Sequence, residues 1–181
     1  MTSFVFQGQR RVCFHTFMQR ALYHPAHGYY RSSKVRQGRR GDYLTSPSMG
    51  PLFSQCIANY IAPLLLQNPT WSIAEIGPGT GDLACNLLQA LARHSDLSRN
   101  YYLVEPGQNP RAGQSQRISE IPSSLHKLIQ WSDQLPKDFR GVVIANEVLD
   151  ALPVHLIETC SENNLRSLHV EVAGGQVQWA Y

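Results

Sequence analysis

Charged residues are scarce in this sequence, and no long apolar run is present. Only 16% of the 181 residues are charged, against roughly 25% in a typical soluble domain, which argues against a disordered chain and against a coiled coil. A membrane span needs roughly 20 apolar residues, and the longest candidate, residues 57–66, is interrupted by Asn59, Tyr60 and Pro63. With 43% hydrophobic residues, a chain of this length is expected to form one domain with a substantial core and room for a small appendage.

Closely spaced cysteines are also missing. The four cysteines are Cys13, Cys56, Cys85 and Cys160. Their wide spacing excludes the usual zinc-site and redox motifs, and the lack of a signal peptide favours a reducing compartment. His24 and His27 have the spacing of a metal-binding pair, but Pro25 between them indicates a turn instead. We therefore predict a cytoplasmic location and no metal.

Acidic residues are absent from residues 1–41, although this segment holds eight of the 16 basic residues. An Arg-rich, acid-poor N-terminus is typical of an organelle transit peptide, which would imply a mitochondrial location. The motifs in this segment look ordered, so a solvated basic face or an anion-steering rim is the favoured interpretation. The net charge of +3 is too small to predict binding to nucleic acid.

The first 70 residues predict two helices and a loop. Residues 14–22 carry apolar side chains at the spacing of one helix face. Residues 31–42 are polar and contain glycine, which indicates a loop. Residues 51–66 predict a second helix, with one side formed by Leu52, Phe53, Cys56, Ile57 and Tyr60.

From Trp71 onward, short apolar strands alternate with helices. Strands are predicted at residues 72–76, 101–105, 128–131 and 141–146, and helices at residues 83–92 and 111–118. This alternation predicts an α/β fold with a doubly wound parallel sheet. The continuous apolar run of the fourth strand predicts burial on both faces. After Pro153, three further strands at residues 154–158, 165–172 and 176–181 surround a Gly-Gly turn, which predicts a β-hairpin.

The central motif is Glu75-Ile76-Gly77-Pro78-Gly79-Thr80-Gly81-Asp82, between a predicted strand and a predicted helix. Ligands of doubly wound sheets bind beyond the carboxyl ends of the strands, near the point where the strand order reverses. A nicotinamide dinucleotide loop would require glycine or alanine where Asp82 stands, and a shifted register ending at Ala84 begins two residues too late. The observed E-x-G-x-G-x-G spacing is typical of the S-adenosylmethionine (SAM) loop of class I methyltransferases. A purely structural turn is the remaining alternative.

Polar or aromatic residues stand at the ends of the other predicted strands. Glu105 can accept hydrogen bonds from both ribose hydroxyls in either cofactor class; otherwise it is an ordinary strand-end acid. Trp131 and Ser132 lie where an adenine ring would stack, unless Trp131 is only a core or rim residue. Asn146 and Glu147 follow the fourth strand, next to the expected position of the sulfonium methyl group.

Several longer motifs extend this pattern. They are Ala21-Leu22-Tyr23-His24-Pro25, Gly28-Tyr29-Tyr30, Gly41-Asp42-Tyr43-Leu44-Thr45-Ser46-Pro47, Pro51-Leu52-Phe53, Leu103-Val104-Glu105, and Ala145-Asn146-Glu147-Val148-Leu149-Asp150-Ala151-Leu152-Pro153-Val154. Together with the glycine motif, they resemble the MidA-like SAM-dependent methyltransferases over residues 12–158. The mitochondrial relatives in that family are arginine methyltransferases that act in respiratory complex I assembly.

The resemblance implies a class I methyltransferase fold, with SAM as the cofactor and a protein arginine as the methyl acceptor. A respiratory-complex subunit is the candidate acceptor protein. It predicts an N-terminal helical extension with a cofactor-covering loop (residues 1–70), a Rossmann-like core (71–153) and a β-rich insertion (154–181). The implied SAM contacts are Glu75, Gly77, Gly79, Gly81, Glu105, Trp131, Ser132 and Asn146, with Thr45, Ser46 and Pro47 from the covering loop.

An arginine acceptor needs carboxylates that hold its guanidinium and take its proton. The candidates are Asp42, Glu147 and Asp150. Glu147 is the preferred one, and Asp42 is better explained as a residue that caps the loop.

Two departures from the family pattern limit this prediction. Ser48 follows Pro47 where the family usually has glutamate, and Gly50 replaces a bulkier residue. Family members are also considerably longer, so the chain is expected to be truncated inside the β-rich insertion. A noncatalytic binding or assembly module is therefore the alternative function, while Asp82 disfavours a nicotinamide oxidoreductase. The open sheet edge expected of such a chain makes a dimer a further prediction.

Overall fold

The computed structural model describes residues 3–31, 46–94, 99–106, 111–161 and 164–180. The helices are α1 (Ser3–Phe6), α2 (Phe14–Tyr23), α3 (Pro51–Gln67), α4 (Asp82–Leu91), α5 (Arg111–Ile118) and α6 (Ser123–His126). The strands are β1 (Arg11–Cys13), β2 (Ser72–Ile76), β3 (Tyr101–Val104), β4 (Ile129–Ser132), β5 (Gly141–Ile144), β6 (Ile157–Ser161), β7 (Asn164–Ser167), β8 (His169–Ala173) and β9 (Gln176–Ala180). Short 3-10 turns cover Tyr29–Arg31, Ser46–Met49, Ala92–His94 and Leu149–Ala151.

The chain forms two compact units, of which one is continuous. The first unit comprises Met1–Val35 together with Leu149–Tyr181, and the second comprises Arg36–Val148. Helix α3 belongs to the second unit with the parallel strands. The predicted segment boundaries at residues 70 and 153 stay predictions.

The second unit contains a four-stranded parallel sheet in the order β4-β3-β2-β5. This confirms the predicted parallel sheet with helices between its strands. The chain runs outward from β2 through β3 to β4 and then returns to the other side of β2 with β5. The strand order therefore reverses at β2, which is the strand that precedes the glycine motif.

The core of this unit lies between the sheet and the helices α3 and α4. Helix α4 buries Leu83, Leu87, Leu88 and Leu91, as its sequence pattern predicts. The apolar side of α3 noted in the sequence is only partly buried: Phe53 and Ile57 pack against the core, whereas Leu52 and Tyr60 are 72% and 79% exposed. The buried residues of α3 are Ser54, Ala58, Ile61, Ala62 and Leu65. The apolar residues of α3 point to nearly all sides of the helix, so their spacing does not indicate which side is buried. The small side chains on the buried side allow α3 to pack closely against α4.

Strand β5 lies at one edge of the described sheet. Val142 and Ile144 pack against the core, whereas Val143 is 47% exposed. The predicted burial of both faces is therefore wrong at Val143. Successive residues of a strand point to opposite faces, and only the face that carries Val142 and Ile144 reaches the α3–α4 core.

The first unit contains an antiparallel sheet in the order β1-β8-β9 and a separate β6-β7 hairpin. A small core of Val5, Phe6, Val12 and Val170 lies against Phe14 and Phe17 of α2. The β-hairpin prediction is confirmed, but the strand predicted at residues 165–172 is divided at Leu168. The backbone N–H of Leu168 donates to Leu156 while its carbonyl accepts from Phe14, so this residue links two different pairings. Helices in the described part of the chain are all too short or too polar to cross a membrane.

Candidate functional site

The strand register brings the carboxyl ends of all four parallel strands to one edge. Ile76 of β2 pairs with Val104 of β3, and Val104 pairs with Ser132 of β4. On the other side, Glu75 pairs with Ile144 of β5. The segments that follow these strands therefore lie side by side, at the point where the strand order reverses. This is where a doubly wound sheet binds its ligand.

The glycine motif forms a tight turn that only glycine adopts without strain. Gly77, Gly79 and Gly81 have φ values of +64°, +52° and +84°, in the left-handed region where other residues pay a steric cost. The N–H of Gly77 donates to Val104 at 3.1 Å, and the N–H of Gly81 donates to Pro78 at 2.8 Å. Gly81 is the N-cap residue of α4, which begins at Asp82. The main chain is thus exposed to a ligand at the start of a helix.

Asp82 stabilises this turn through a network that the sequence did not reveal. Its carboxylate accepts hydrogen bonds from the Thr80 hydroxyl at 2.8 Å and from Arg117 Nε at 2.7 Å. Arg117 also donates to Asn86 on α4 and to Glu120. In the sequence, Asp82 only argued against a dinucleotide loop. Arg117 is 35 residues away in the chain, and no local pattern connects the two.

Gln114, like Arg117, belongs to α5 and contacts the glycine turn. Its side chain is fully buried, its Nε2 donates to the Gly79 carbonyl at 3.0 Å, and its Oε1 accepts from Trp131 Nε1 at 2.8 Å. Sequence reasoning missed Gln114, because a glutamine in a short polar helix carries no signal of burial.

Glu75 is a buried acid beneath the glycine turn. Only 3% of its surface is exposed, and it shares a sheet face with the apolar residues Ile73 and Leu103. The hydroxyl of Tyr101 donates to Glu75 Oε2 at 2.8 Å. Burial raises the pKa of Glu75 to about 8, and the negative charges of Asp82 and Glu105 act in the same direction, while the hydrogen bond from Tyr101 opposes them. Glu75 is therefore protonated near neutral pH.

This shift predicts a loss of stability as the pH rises. The folded state retains a proton on Glu75 that the unfolded state releases above the ordinary pKa of 4.5. The free energy of unfolding is therefore expected to fall by about 1 kcal/mol per pH unit between these two pKa values on account of this group. Glu75→Gln keeps an acceptor for Tyr101 and removes the titration, so its urea unfolding curves should lack this contribution. Glu171→Gln, at a half-buried strand position of the other unit, should retain the wild-type slope; equal slopes for all three proteins would contradict the prediction.

Three predicted contact residues lie at the ends of β3 and β4. The backbone N–H of Glu105 donates to the Ser132 carbonyl at 2.9 Å, which fixes Glu105 beside the carboxyl end of β4. Trp131 is 36% exposed, so its ring is available to a ligand while its N–H is held by Gln114. The Ser132 hydroxyl donates to the carbonyl of Gln134 and is thus engaged in its own turn.

The segment after β5 approaches the glycine turn from the other side. A Cβ atom added to Gly77 would lie 3.2 Å from a methyl group of Val148, so the two segments are in close contact. Glu147 is exposed and has a φ of +52°. A non-glycine residue rarely adopts this conformation, because it costs free energy. Such strained backbone is often found at functional sites. Asn146, directly before it, is half-buried.

The remaining predicted site residues belong to other segments of the chain. Asp150 lies in the first unit, on the turn Leu149–Ala151. Ser46 and Pro47 belong to the 3-10 turn Ser46–Met49. Asp42 and Thr45, with most of the predicted loop at residues 31–42, lie outside the described residues. The individual roles of all these residues stay predictions.

Comparison with known proteins shows which family this chain resembles. A family model described as "Putative S-adenosyl-L-methionine-dependent methyltransferase" matches residues 56–180. A COG1565 superfamily member from Burkholderia thailandensis, crystallised with S-adenosyl-homocysteine, has a TM-score of 0.85 and 34% identity over 96% of this chain. The Caenorhabditis elegans protein named "Protein arginine methyltransferase NDUFAF7 homolog, mitochondrial" is 29% identical over 77% of this chain. Its Bos taurus counterpart is 26% identical over 77%.

The chain spans less than half the length of these relatives. It covers 46% of the B. thailandensis chain, 38% of the C. elegans protein and 37% of the Bos taurus protein. The family model nevertheless matches most of the chain, and it includes every described element from β2 to β9. The predicted class I methyltransferase fold and the predicted resemblance are confirmed: this chain belongs to the SAM-dependent methyltransferase family.

Proposed function

We propose that the protein binds SAM at the edge of the parallel sheet and transfers its methyl group to an arginine side chain of another protein. The observation that carries this proposal is the alignment of the glycine turn with Glu105 at the reversal point of the sheet. The bound S-adenosyl-homocysteine of the similar B. thailandensis protein supports the choice of cofactor. The names of the mitochondrial relatives support the choice of acceptor.

The residues present fit such a cofactor. Glycines with positive φ leave the space at the turn free of side chains, and Glu105 and Trp131 offer a carboxylate and a ring at adjacent strand ends. Gly77, Gly79 and Gly81 would hold the methionine end, Glu105 the ribose, and Trp131 the adenine. Because Glu75 is protonated, it adds no unpaired charge beneath the turn.

SAM, when bound, supplies an electrophilic methyl group on a sulfonium. The C–S bond breaks as a C–N bond to the acceptor forms, and the acceptor nitrogen loses a proton. The protein contributes orientation and exclusion of water rather than covalent chemistry. We assign Glu147 the role of holding the guanidinium and accepting its proton, since it is exposed and directly precedes Val148, whose side chain lies against Gly77 of the glycine turn.

The proposal also covers the identity of the acceptor protein, the cellular location of this protein and its oligomeric state. The resemblance favours a respiratory-complex subunit as acceptor, and the position of β5 at one edge of the described sheet favours a dimer. The cytoplasmic location inferred from the cysteines stays a prediction. Labelled methyl transfer to arginine-containing peptides by the purified protein tests the acceptor class, with lysine-containing peptides as the matched control.

Calorimetric titration with S-adenosyl-homocysteine tests the cofactor site itself. We expect a dissociation constant in the micromolar range, about −7 to −8 kcal/mol, and no binding of NAD. Micromolar binding without methyl transfer would favour the alternative, a noncatalytic SAM-binding or assembly module. Absence of binding by a folded chain would overturn the proposal.

A further inference from the structure

Helix α5 contacts the glycine turn of the proposed cofactor site. One residue of this helix, Gln114, contacts both the turn and Trp131. Gln114 is the only glutamine, asparagine or acid of the described residues apart from Glu75 whose side chain is buried. A buried amide is costly unless its hydrogen bonds are made. Both ends of the Gln114 amide are satisfied, one by the glycine turn and one by Trp131.

The partners determine which way the amide points. The Gly79 carbonyl can only accept, so it requires the NH₂ end of Gln114, and the Trp131 indole can only donate, so it requires the oxygen. No other side-chain orientation satisfies both partners. The amide therefore acts as a rigid link between a main-chain carbonyl of the turn and an indole N–H on the neighbouring strand end.

The same helix holds the turn at two further places. The side chain of Gln114 faces Gly81, where an added Cβ would lie 3.7 Å from its Cγ. Arg117, almost one helical turn further along α5, donates to Asp82. The glycine turn is thus fixed against α5 independently of the link to Trp131, and breaking that link releases mainly the tryptophan ring.

We propose that Gln114 is a positioning residue of the cofactor site, which fixes the ring plane of Trp131 relative to the glycine turn before the cofactor binds. The adenine-contacting ring and the turn for the methionine end then form one preorganised surface. Preorganisation improves affinity because the ordering cost is met in the free protein. This inference rests on the proposed function, since it assigns the ring and the turn to two ends of one ligand.

The first test measures the affinity for S-adenosyl-homocysteine by calorimetry. Gln114→Met keeps the shape of the side chain and removes both hydrogen bonds, and we expect affinity to fall about tenfold or more. Gln116→Met, an exposed position on the same helix, should bind within about twofold of wild type. If Gln114 acts through Trp131, the effect of Gln114→Met should shrink to about threefold or less in a Trp131→Phe background, where the donor is already gone.

The second test needs no ligand and separates positioning from general support. The indole N–H of Trp131, assigned in an NMR spectrum by its loss in Trp131→Phe, should exchange slowly in the wild type and much faster in Gln114→Met. The indole signals of Trp71 and Trp179 serve as internal controls. Should Gln114→Met fail to fold, Trp131→Phe breaks the same link from the partly exposed side and should by itself weaken binding.

The outcomes distinguish this inference from the proposed function. Absence of S-adenosyl-homocysteine binding by the wild type would overturn both. Wild-type binding that is unchanged in Gln114→Met, or additive effects of the two substitutions, would overturn the positioning role alone. Rapid exchange of the Trp131 indole in the wild type would also overturn it.

Discussion

Replacing Gly141 with alanine is expected to destabilise the protein by at least about 3 kcal/mol, a large effect for one methyl group. Gly141 begins β5 with a φ of +151° and pairs with Ser72 of β2. A Cβ atom there would lie 1.8 Å from the Ser72 carbonyl oxygen. A backbone atom cannot rotate away as a side chain can, so the two strands must separate at this end.

Urea unfolding followed by circular dichroism measures this effect. Gly113→Ala is the matched control, because Gly113 lies in α5 with no atom within 4 Å of an added Cβ. That variant should be stabilised by about 0.5–1 kcal/mol, since alanine favours helices. A Gly141→Ala protein within about 1 kcal/mol of wild type would show that β2 and β5 do not approach as closely as described.

Removing the carboxylate of Glu105 should weaken the binding of S-adenosyl-homocysteine by about 100-fold. Hydrogen bonds to a charged group contribute about 1.5–3 kcal/mol each, and one tenfold change in affinity corresponds to about 1.4 kcal/mol. Two ribose hydroxyls bonded to one carboxylate therefore account for the expected loss. Calorimetry of Glu105→Ala measures it, and Glu105→Gln, which cannot supply the charge, should fall between that variant and the wild type.

Two comparisons make this prediction specific to the ribose. Asp138→Ala, at an exposed position before β5 and far along the strands from the glycine turn, should bind normally. The 2′-deoxy analogue of methylthioadenosine should bind more weakly than methylthioadenosine to the wild type but not to Glu105→Ala. Unchanged affinity of Glu105→Ala would refute the ribose assignment and leave the rest of the site in place.

The two acids at the glycine turn illustrate how similar residues acquire different properties. Glu75 points into the apolar face shared with Ile73 and Leu103, where burial favours its neutral form. Glu105 follows the end of β3 and is only partly buried. Glu75 lies inside β2 and Glu105 directly follows β3, and the alternation of strand residues explains why Glu75 is enclosed. The size of the pKa shift of Glu75 also depends on the neighbouring strand β3, which supplies the hydrogen bond from Tyr101.

By itself, the sequence determined the class of fold and predicted which edge of the sheet binds the ligand. The alternation of apolar strands and helices was sufficient to predict the parallel sheet, because the period of the apolar residues distinguishes a strand from a helix. The glycine motif and the polar residues after the other strands indicated the binding edge, since the carboxyl ends of parallel strands must meet. The inward leucines of α4 followed from helical spacing alone.

Only the tertiary structure decided the features that depend on contacts between distant segments. The buried face of α3 was not predictable, because the helix carries apolar residues on nearly all sides. Its packing against α4 decides which of these residues are buried. The exposure of Val143 depends on the position of β5 at the sheet edge, and the division at Leu168 depends on pairing with Leu156 and Phe14. The same holds for Arg117 on Asp82 and for Gln114 between Gly79 and Trp131. A hydrogen bond between residues far apart in the chain leaves no local pattern, so it becomes visible only when the chain is folded.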